Sequence, residues 1–377
     1  MTNLPYEIVL FLTFVVSFLV TYMSIPSIIG VAKAKKLFAE PNSRRVHNQQ
    51  TPTLGGIAIF AGFTVAAGSF ISYSLVPSLQ YILVACIIIF FIGIKDDILI
   101  IAPFKKLMGQ IAAALVLIIP GKICFTSIHG FLGIYSFENL NLPYPEIIGL
   151  LLTLFVIIVI TNSINLIDGI DGLAATVGMI TTAFFGMWFF VSGNIEYSLL
   201  SVAVFGTLLG FYRFNVFGGK NKIFMGDTGS LIVGLLMAVQ VVLFNEKNIG
   251  YTSAFSIKSA PAVSFAVLMV PLYDTLRVFL IRMSRGRSPF KADKNHLHHC
   301  LLKLGLNHGQ ATLVFASANL FFIVLALLLQ NIGIFWLMLI ILSIATILSF
   351  YLEYLVKKIG HSGHDEVKQK RKLQKVK

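Results

Sequence analysis

The sequence predicts an all-α integral membrane protein of about eleven transmembrane helices, with the amino terminus outside and the carboxyl terminus in the cytoplasm. Three observations predict it. Of the 377 residues, 57% are hydrophobic and only 12% charged, against roughly 25% charged in soluble globular chains. Apolar runs long enough to cross a bilayer as helices, about 17 to 25 residues each, recur at 8–30, 54–75, 79–95, 106–122, 144–162, 170–192, 195–214, 229–245, 259–283, 311–330 and 333–355. Lys and Arg are also sorted: 26 of the 29 lie in 31–53, 95–106, 213–228, 277–310 and beyond 356, and only Lys122, Lys247 and Lys258 fall in the alternate loops. Basic residues mark cytoplasmic loops, and an odd number of spans places the termini on opposite sides.

Each element follows from its residues. The first run lacks a basic leader and a cleavage site, so it reads as a retained span. Residues 1–355 form one polytopic domain, with polar cytoplasmic loops at 31–53, 95–106, 162–172, 213–230 and 283–310. Residues 356–377 form a basic tail that supplies +6 of the net +13. Basic residues just beneath a last span meet anionic lipid head groups, which argues against nucleic acid as the partner. Cys86, Cys124 and Cys300 fall in a span, outside and inside, so no disulfide is expected. The outer loop KICFTSIHGFLGIYSFENLNLPYP carries aromatic and β-branched residues around Gly133, the pattern of a short hairpin. No internal repeat is visible.

The loops gathered on the cytoplasmic face carry the chemistry. All eight aspartates, Asp96, Asp97, Asp168, Asp171, Asp227, Asp274, Asp293 and Asp365, fall on that side or in the cytoplasmic half of a span. In 31–53, Arg44, Arg45 and His47 add cationic groups, although a positive-inside loop explains them almost as well. Asp96 and Asp97 end the third run as paired carboxylates, an arrangement that holds a metal or a proton or merely ends a helix beside Lys95. In TNSINLIDGIDGLA, Asn162, Asn165, Asp168 and Asp171 recur every three residues, a spacing that lines one wall in helical turns. In KIFMGDTGSLIVG, Asp227 sits between Gly226 and Gly229, and Ser230 suits the cap of the next span.

The last loop, RMSRGRSPFKADKNHLHHCLLKLGL, is the most basic. Asp293 can cap a short helix whose Leu297, Leu301 and Leu304 lie against the membrane surface. On that helix His296, His299 and Lys303 share a face and His298 points away. Three histidines suggest zinc, but the spacing and the missing fourth donor argue against it. The imidazoles with Arg285, Arg287 and Lys291 suit an anionic substrate instead. Asp274, in VPLYDTLRVFLIR, can pair with Arg277 one turn on, a structural role.

Five loops on one face thus share one vocabulary. Carboxylates and amides near helix amino termini suit Mg²⁺, with Mn²⁺ as the alternative, bridging to phosphates. These residues resemble the polyprenyl-phosphate N-acetylhexosamine-1-phosphate transferases: eleven spans, paired aspartates after the third, the NxxNxxDGxDG loop, the FMGDxGS turn and a histidine loop before the last two spans. DKNHLHHCLL looks like the N-acetylglucosamine-1-phosphate branch and less like the MurNAc-pentapeptide branch. The resemblance implies that undecaprenyl phosphate attacks the β-phosphate of a UDP-N-acetylhexosamine, UDP-GlcNAc above others, and releases UMP.

It further implies that Asp227 and Asn165 hold Mg²⁺ and that Asp96 and Asp97 orient or deprotonate the lipid phosphate. Asp168 and Asp171 would shape the nucleotide pocket, and His296, His298 and His299 with the nearby arginines would grip the sugar phosphate; Asn162 is a further substrate-binding candidate. A phosphate monoester has its second pKa near ~6, so a base of ordinary Asp pKa, ~3.9, adds little at neutral pH; positioning and charge neutralisation are expected to dominate. A transporter is the rival, but it predicts midplane polar groups and paired repeats. The oligomeric state, a homodimer among the options, is left open.

Overall fold

The computed structural model describes residues 4–37, 51–99, 101–140, 143–286 and 296–374, with side chains through residue 358. Ten of the eleven apolar runs form one helix each, and the run 259–283 forms two. In chain order they are α1 (Tyr6–Ala34), α2 (Gly55–Phe70), α3 (Leu79–Leu99), α4 (Pro103–Ile118), α5 (Glu146–Ile167), α6 (Leu173–Val191) and α7 (Ile195–Phe217). They continue as α8 (Gly226–Asn248), α9 (Ala260–Val267), α10 (Met269–Ser284), α11 (Leu297–Lys303), α12 (His308–Leu329) and α13 (Ile334–Gln374). Among the described residues there is no β-strand. Seven helices are long and apolar enough to cross a membrane, or eight if the bent pair α9–α10 is one span; α2 and α4 have 16 residues each.

The core sits around α8, which is hydrophobic nearly all round and buried along almost its whole length, as an interior helix must be. It packs against α5, α3, α2 and α6, while α1 lies outside against α7 and α2. The helices approach closely where a side chain is missing. A Cβ at Gly93 of α3 would come within 2.4 Å of the Thr228 backbone, so α3 and α8 touch backbone to backbone, in the small-residue packing of membrane helices. That contact places the end of α3 against the start of α8.

Two expectations are corrected. The outer loop forms two short 3-10 turns, Phe131–Gly133 and Phe137–Asn139, instead of paired strands; left-handed Gly130 and Gly133 curl the chain on itself. The run 259–283 is not one continuous helix but breaks at Leu268, with α9 and α10 at 82°. Pro271 explains the break, because it has no N–H to offer the carbonyl four residues back, Val267 O. That freed carbonyl accepts from Asn319 Nδ2 of α12 (3.1 Å) and from Thr181 Oγ1 of α6 (3.5 Å), as a backbone acceptor away from water requires.

Candidate active site at one end of the bundle

The end of α3, the starts of α4 and α8 and the end of α5 meet in one polar hub. Lys106, in the first turn of α4, places Nζ 2.5 Å from Asp227 Oδ1, 3.1 Å from Asp96 Oδ2 and 3.4 Å from Asn165 Oδ1. Asn165 donates Nδ2 to the same Asp227 oxygen (2.6 Å) and to Ser230 Oγ (2.8 Å). One turn along α4, Gln110 exchanges two hydrogen bonds with Asn162, at 2.7 and 3.2 Å. The 106/110 pair of α4 therefore faces the 162/165 pair of α5, rung on rung. Asp227 is the most open carboxylate here, with its side chain 34% exposed against 10% for Asp96.

Asp97 points the other way from its neighbour. Its carboxylate accepts from Asp227 N (2.8 Å), Thr228 N (3.0 Å) and Thr228 Oγ1 (2.6 Å), so it caps α8 from another helix. Free amides and the dipole at a helix start favour an anion. The sequence expectation that Ser230 caps this helix is corrected: α8 begins at Gly226, and Ser230 already lies inside it, donating to Gly226 O. Gly226 has a left-handed φ of 72°, and a Cβ there would meet Thr53 O at 2.1 Å and the Asp97 carboxylate at 2.7 Å. Only glycine satisfies both demands.

A second cluster surrounds Asp171. α5 carries only Asn162 and Asn165 of the three-residue series, since it ends at Ile167 with Asp168 as its C-cap; Asp171 lies in the turn to α6. Asp171 Oδ2 meets Lys222 Nζ at 2.6 Å and His308 Nδ1 at 2.8 Å, and its carbonyl accepts from Thr312 Oγ1 at 3.0 Å. Burial alone would push this carboxyl up, but His308 and Lys222 outweigh it and hold it below the usual carboxylate range. Gly172 N donates to buried Asn215 Oδ1 at 2.7 Å, which ties the turn to α7.

The histidine loop closes over this turn. Asp274 of α10 accepts from Leu297 N at 2.9 Å and lies 2.9 Å from His296 Nδ1, while Arg277 pairs with Glu353 of α13 and stands 4.0 Å from Asp274. The structural role of Asp274 is thus to anchor the start of α11. His296 precedes that helix in extended conformation, so helical spacing does not govern its ring. The expected face is corrected accordingly: His296 stacks on His298 at 5.6 Å, and His298 lies 4.2 Å from His299. The leucine face is corrected too, because Leu297 and Leu301 are buried in the protein core and not laid against a membrane surface; the Asp274 anchor draws them inward.

A Cβ on Gly169 would meet His298 Nε2 at 2.5 Å, so the loop sits directly on the α5–α6 turn. His298 is 2% exposed; burial first, then the other imidazoles, depress it to about 3, with Asp274 opposing. It is a neutral imidazole at pH 7. His299 lies beside it, half-buried, and Asp168 lies one residue from Gly169. Arg285 is exposed at the end of α10. Arg45, His47, Arg287, Lys291 and Asp293 lie outside the described residues.

Three residues that these clusters are built on escape sequence reasoning: Lys106, Lys222 and His308. The lysines read as positive-inside charge, and His308 reads as the opening of a helix whose cap, Asn307, is formed by a capping box with Gln310. The hub's donor chemistry fits a hard cation. Among the described residues no three His, Cys, Asp or Glu side chains cluster as a metal group, but Asp96, Asp227 and Asn165 bring three oxygens to one cationic point, which Lys106 marks. Mg²⁺ takes such oxygens while keeping waters and phosphates as its other ligands.

Residues 79–245, which run from α3 through most of α8, match the model of glycosyl transferase family 4. A Bacillus subtilis (strain 168) protein described as a probable undecaprenyl-phosphate N-acetylglucosaminyl 1-phosphate transferase is 34% identical over 340 residues, 88% of this chain and 89% of its own. The Escherichia coli (strain K12) undecaprenyl-phosphate alpha-N-acetylglucosaminyl 1-phosphate transferase is 29% identical over 332 residues, 85% and 84% of the two chains. The Mycobacterium tuberculosis (strain ATCC 25618 / H37Rv) decaprenyl-phosphate N-acetylglucosaminephosphotransferase is 32% identical over 322 residues, 78% and 76%.

Proposed function

This chain belongs to glycosyl transferase family 4, and from that premise we propose that it transfers N-acetylglucosamine 1-phosphate from UDP-GlcNAc to undecaprenyl phosphate, a membrane step of cell-envelope glycan synthesis. The carrying observation is the hub in which Asp96, Asp227 and Asn165 converge on Lys106. An oxygen of the lipid phosphate attacks the β-phosphorus of the donor; the bond to the α-phosphate oxygen breaks, and UMP leaves with the electron pair. Atoms and charge balance without an added base, because the attacking phosphate is largely a dianion at neutral pH.

The residues divide the work by charge. Two carboxylates and one ammonium leave the hub at net −1, so it binds a cation. Mg²⁺, or Mn²⁺, held by Asp227 and Asn165, would offset the negative charge that develops on the pyrophosphate. Lys106 steers the pyrophosphate and keeps Asp96 and Asp227 together. Asp96, beside it, orients the lipid phosphate. Asp97 is a positioning residue, because all three of its hydrogen bonds fix the start of α8 and thereby Asp227. Asp171 with Lys222 and His308, next to Asp168, forms the nucleotide end, and the histidine loop closes over the sugar phosphate. In this reading the eleven apolar segments are eleven spans, the polar end faces the cytoplasm where nucleotide sugars are made, and the membrane is the bacterial inner membrane.

The test is UMP release by the purified protein in detergent, with UDP-GlcNAc and undecaprenyl phosphate, in Mg²⁺ or in EDTA. Release that requires both lipid and metal is the expected result. Release only with another UDP-hexosamine would overturn the donor, and silence with every donor would overturn the reaction.

A further inference from the structure

The turn between α5 and α6, residues 168–172, is gripped by a single stretch of chain that runs from His296 through α11 into the first turns of α12. It touches the turn at two points. At one, His298 rests so closely on Gly169 that a Cβ there would lie 2.5 Å from Nε2. At the other, His308 Nδ1 meets Asp171 Oδ2 at 2.8 Å, and Thr312 Oγ1 donates to the Asp171 carbonyl at 3.0 Å. His308 and Thr312 are one turn apart on the same face of α12, so this helix holds both the side chain and the backbone of Asp171.

Little freedom separates the two points. Only Leu304, Gly305, Leu306 and Asn307 join α11 to α12, and both ends of the join are capped. Gly305, left-handed at φ 90°, donates N to Leu302 O at 3.0 Å, and Leu306 donates N to Leu301 O at 3.3 Å, the pair of bonds that closes a helix at a glycine. Asn307 Oδ1 accepts from Gln310 N at 2.9 Å while Asn307 N donates to Gln310 Oε1 at 3.0 Å, which opens the next helix. Leu304 and Leu306 pack on the core, and further along α12 Asn319 is bound to Val267 O. The join is a stiff elbow.

The bond to Asp171 has a definite direction. His308 and Lys222 hold that carboxyl below the usual range, so at pH 7 it is ionised and only accepts. His308 Nδ1 therefore carries the proton and donates it.

We propose that residues 296–312 act as one clamp on this turn and that His308 is its positioning residue, fixing the Asp171 carboxylate through Nδ1–H. On the reading that places Asp171 at the nucleotide end, the seating of the histidine loop and the grip on the nucleotide are then set together. UMP carries no sugar for the loop to close over, yet its affinity depends on the loop: loosening His298 on Gly169 shifts the elbow and, through His308, releases Asp171.

The experiment is equilibrium binding of radiolabelled UMP to the full chain in detergent with Mg²⁺, without lipid phosphate or sugar nucleotide, folding being judged by the thermal unfolding midpoint. His308→Leu is expected to weaken UMP about tenfold, as loss of a hydrogen bond to a charged group does. His308→Asn, whose Nδ2 stands one bond from Cγ as Nδ1 does, should stay within about threefold of wild type, whereas His308→Gln, whose amide lies one carbon further out, should resemble His308→Leu. Packing alone would reverse that order, because glutamine fills more of the histidine volume. His298→Ala should weaken UMP about fivefold, and the double variant His298→Ala/His308→Leu should be little worse than His308→Leu, since members of one unit are not additive. Fully additive losses, His308→Gln binding UMP as well as His308→Asn, or wild-type binding by His308→Leu while Asp171→Asn weakens UMP would each overturn the clamp. Wild-type binding by Asp171→Asn would overturn instead the nucleotide reading beneath it. Should His308→Leu misfold, the order of His308→Asn and His308→Gln decides.

Discussion

The Lys106 hub and the Asp171 cluster lie at the same end of the bundle, and both are salt-bridged, yet their charge balance is opposite. In the hub two carboxylates share one ammonium. In the cluster one carboxylate is shared by an ammonium and an imidazole. The first is left with uncompensated negative charge and open oxygens, which suits a divalent cation. The second is neutral or positive and holds its carboxylate firmly ionised, which suits a neutral or anionic part of a substrate. Neighbouring aspartates in one small site can therefore serve different partners, and what sorts them is the count of cations within reach.

Breaking the hub should have the largest effect. Asp227→Asn removes the open carboxylate with little change of shape, and kcat for UMP release is expected to fall about 10³-fold, with the thermal unfolding midpoint nearly unchanged. A loss under tenfold would move the reacting centre elsewhere. Lys106→Met should lower kcat about 10²-fold and, by removing the competing ammonium, lower the Mg²⁺ concentration that gives half-maximal rate. A requirement for more Mg²⁺ would contradict the assignment of charge.

The Asp171 cluster should answer differently. Asp171→Asn is expected to raise KM for the nucleotide sugar about tenfold and to change kcat by less than about threefold, the signature of lost uniform binding. The folded pKa of Asp171 is lowered, so the stability gained from its pairing is complete above the unfolded value near ~3.9 and is lost only as pH falls below that. The KM ratio of variant to wild type should accordingly be flat from pH 5 to 8; a ratio that drifts across neutrality would point to a titrating partner instead. The smallest effect belongs to the anchor of the histidine loop. Asp274→Asn keeps an acceptor for Leu297 N and weakens the bond to His296, so kcat/KM should fall about fivefold to tenfold, within the ~1.4 kcal/mol of a single neutral hydrogen bond. An unchanged value would separate the loop from catalysis.

Much of the architecture was legible in advance. Ten of the eleven apolar runs form a single helix each, because hydrophobicity over about twenty residues acts locally and leaves the backbone few other ways to satisfy itself in lipid. The candidate polar face was legible too, since Asp96, Asp227 and Asn165 do meet. Their counter-ion was not, because Lys106 looks like any lysine beside a membrane. The histidine face is not legible for a definite reason: helical spacing does not extend to His296, which stands outside the helix. The capping of α8 failed similarly, since the first turn looked to its own Ser230 while Asp97, 130 residues away, supplied the acceptor.

The sequence by itself determined the membrane class, the helices and the face on which the acidic and amide residues gather, because each depends on residues close along the chain. Tertiary structure alone decided which groups touch. Lys106 finds Asp227 across 121 residues, and His308 finds Asp171 across 137, pairings that arise only when the packed helices bring their ends together. It also decided the 82° break at Leu268, for Pro271 frees a carbonyl wherever it occurs, but a sharp bend persists only where neighbours such as Asn319 and Thr181 stand ready to donate to it.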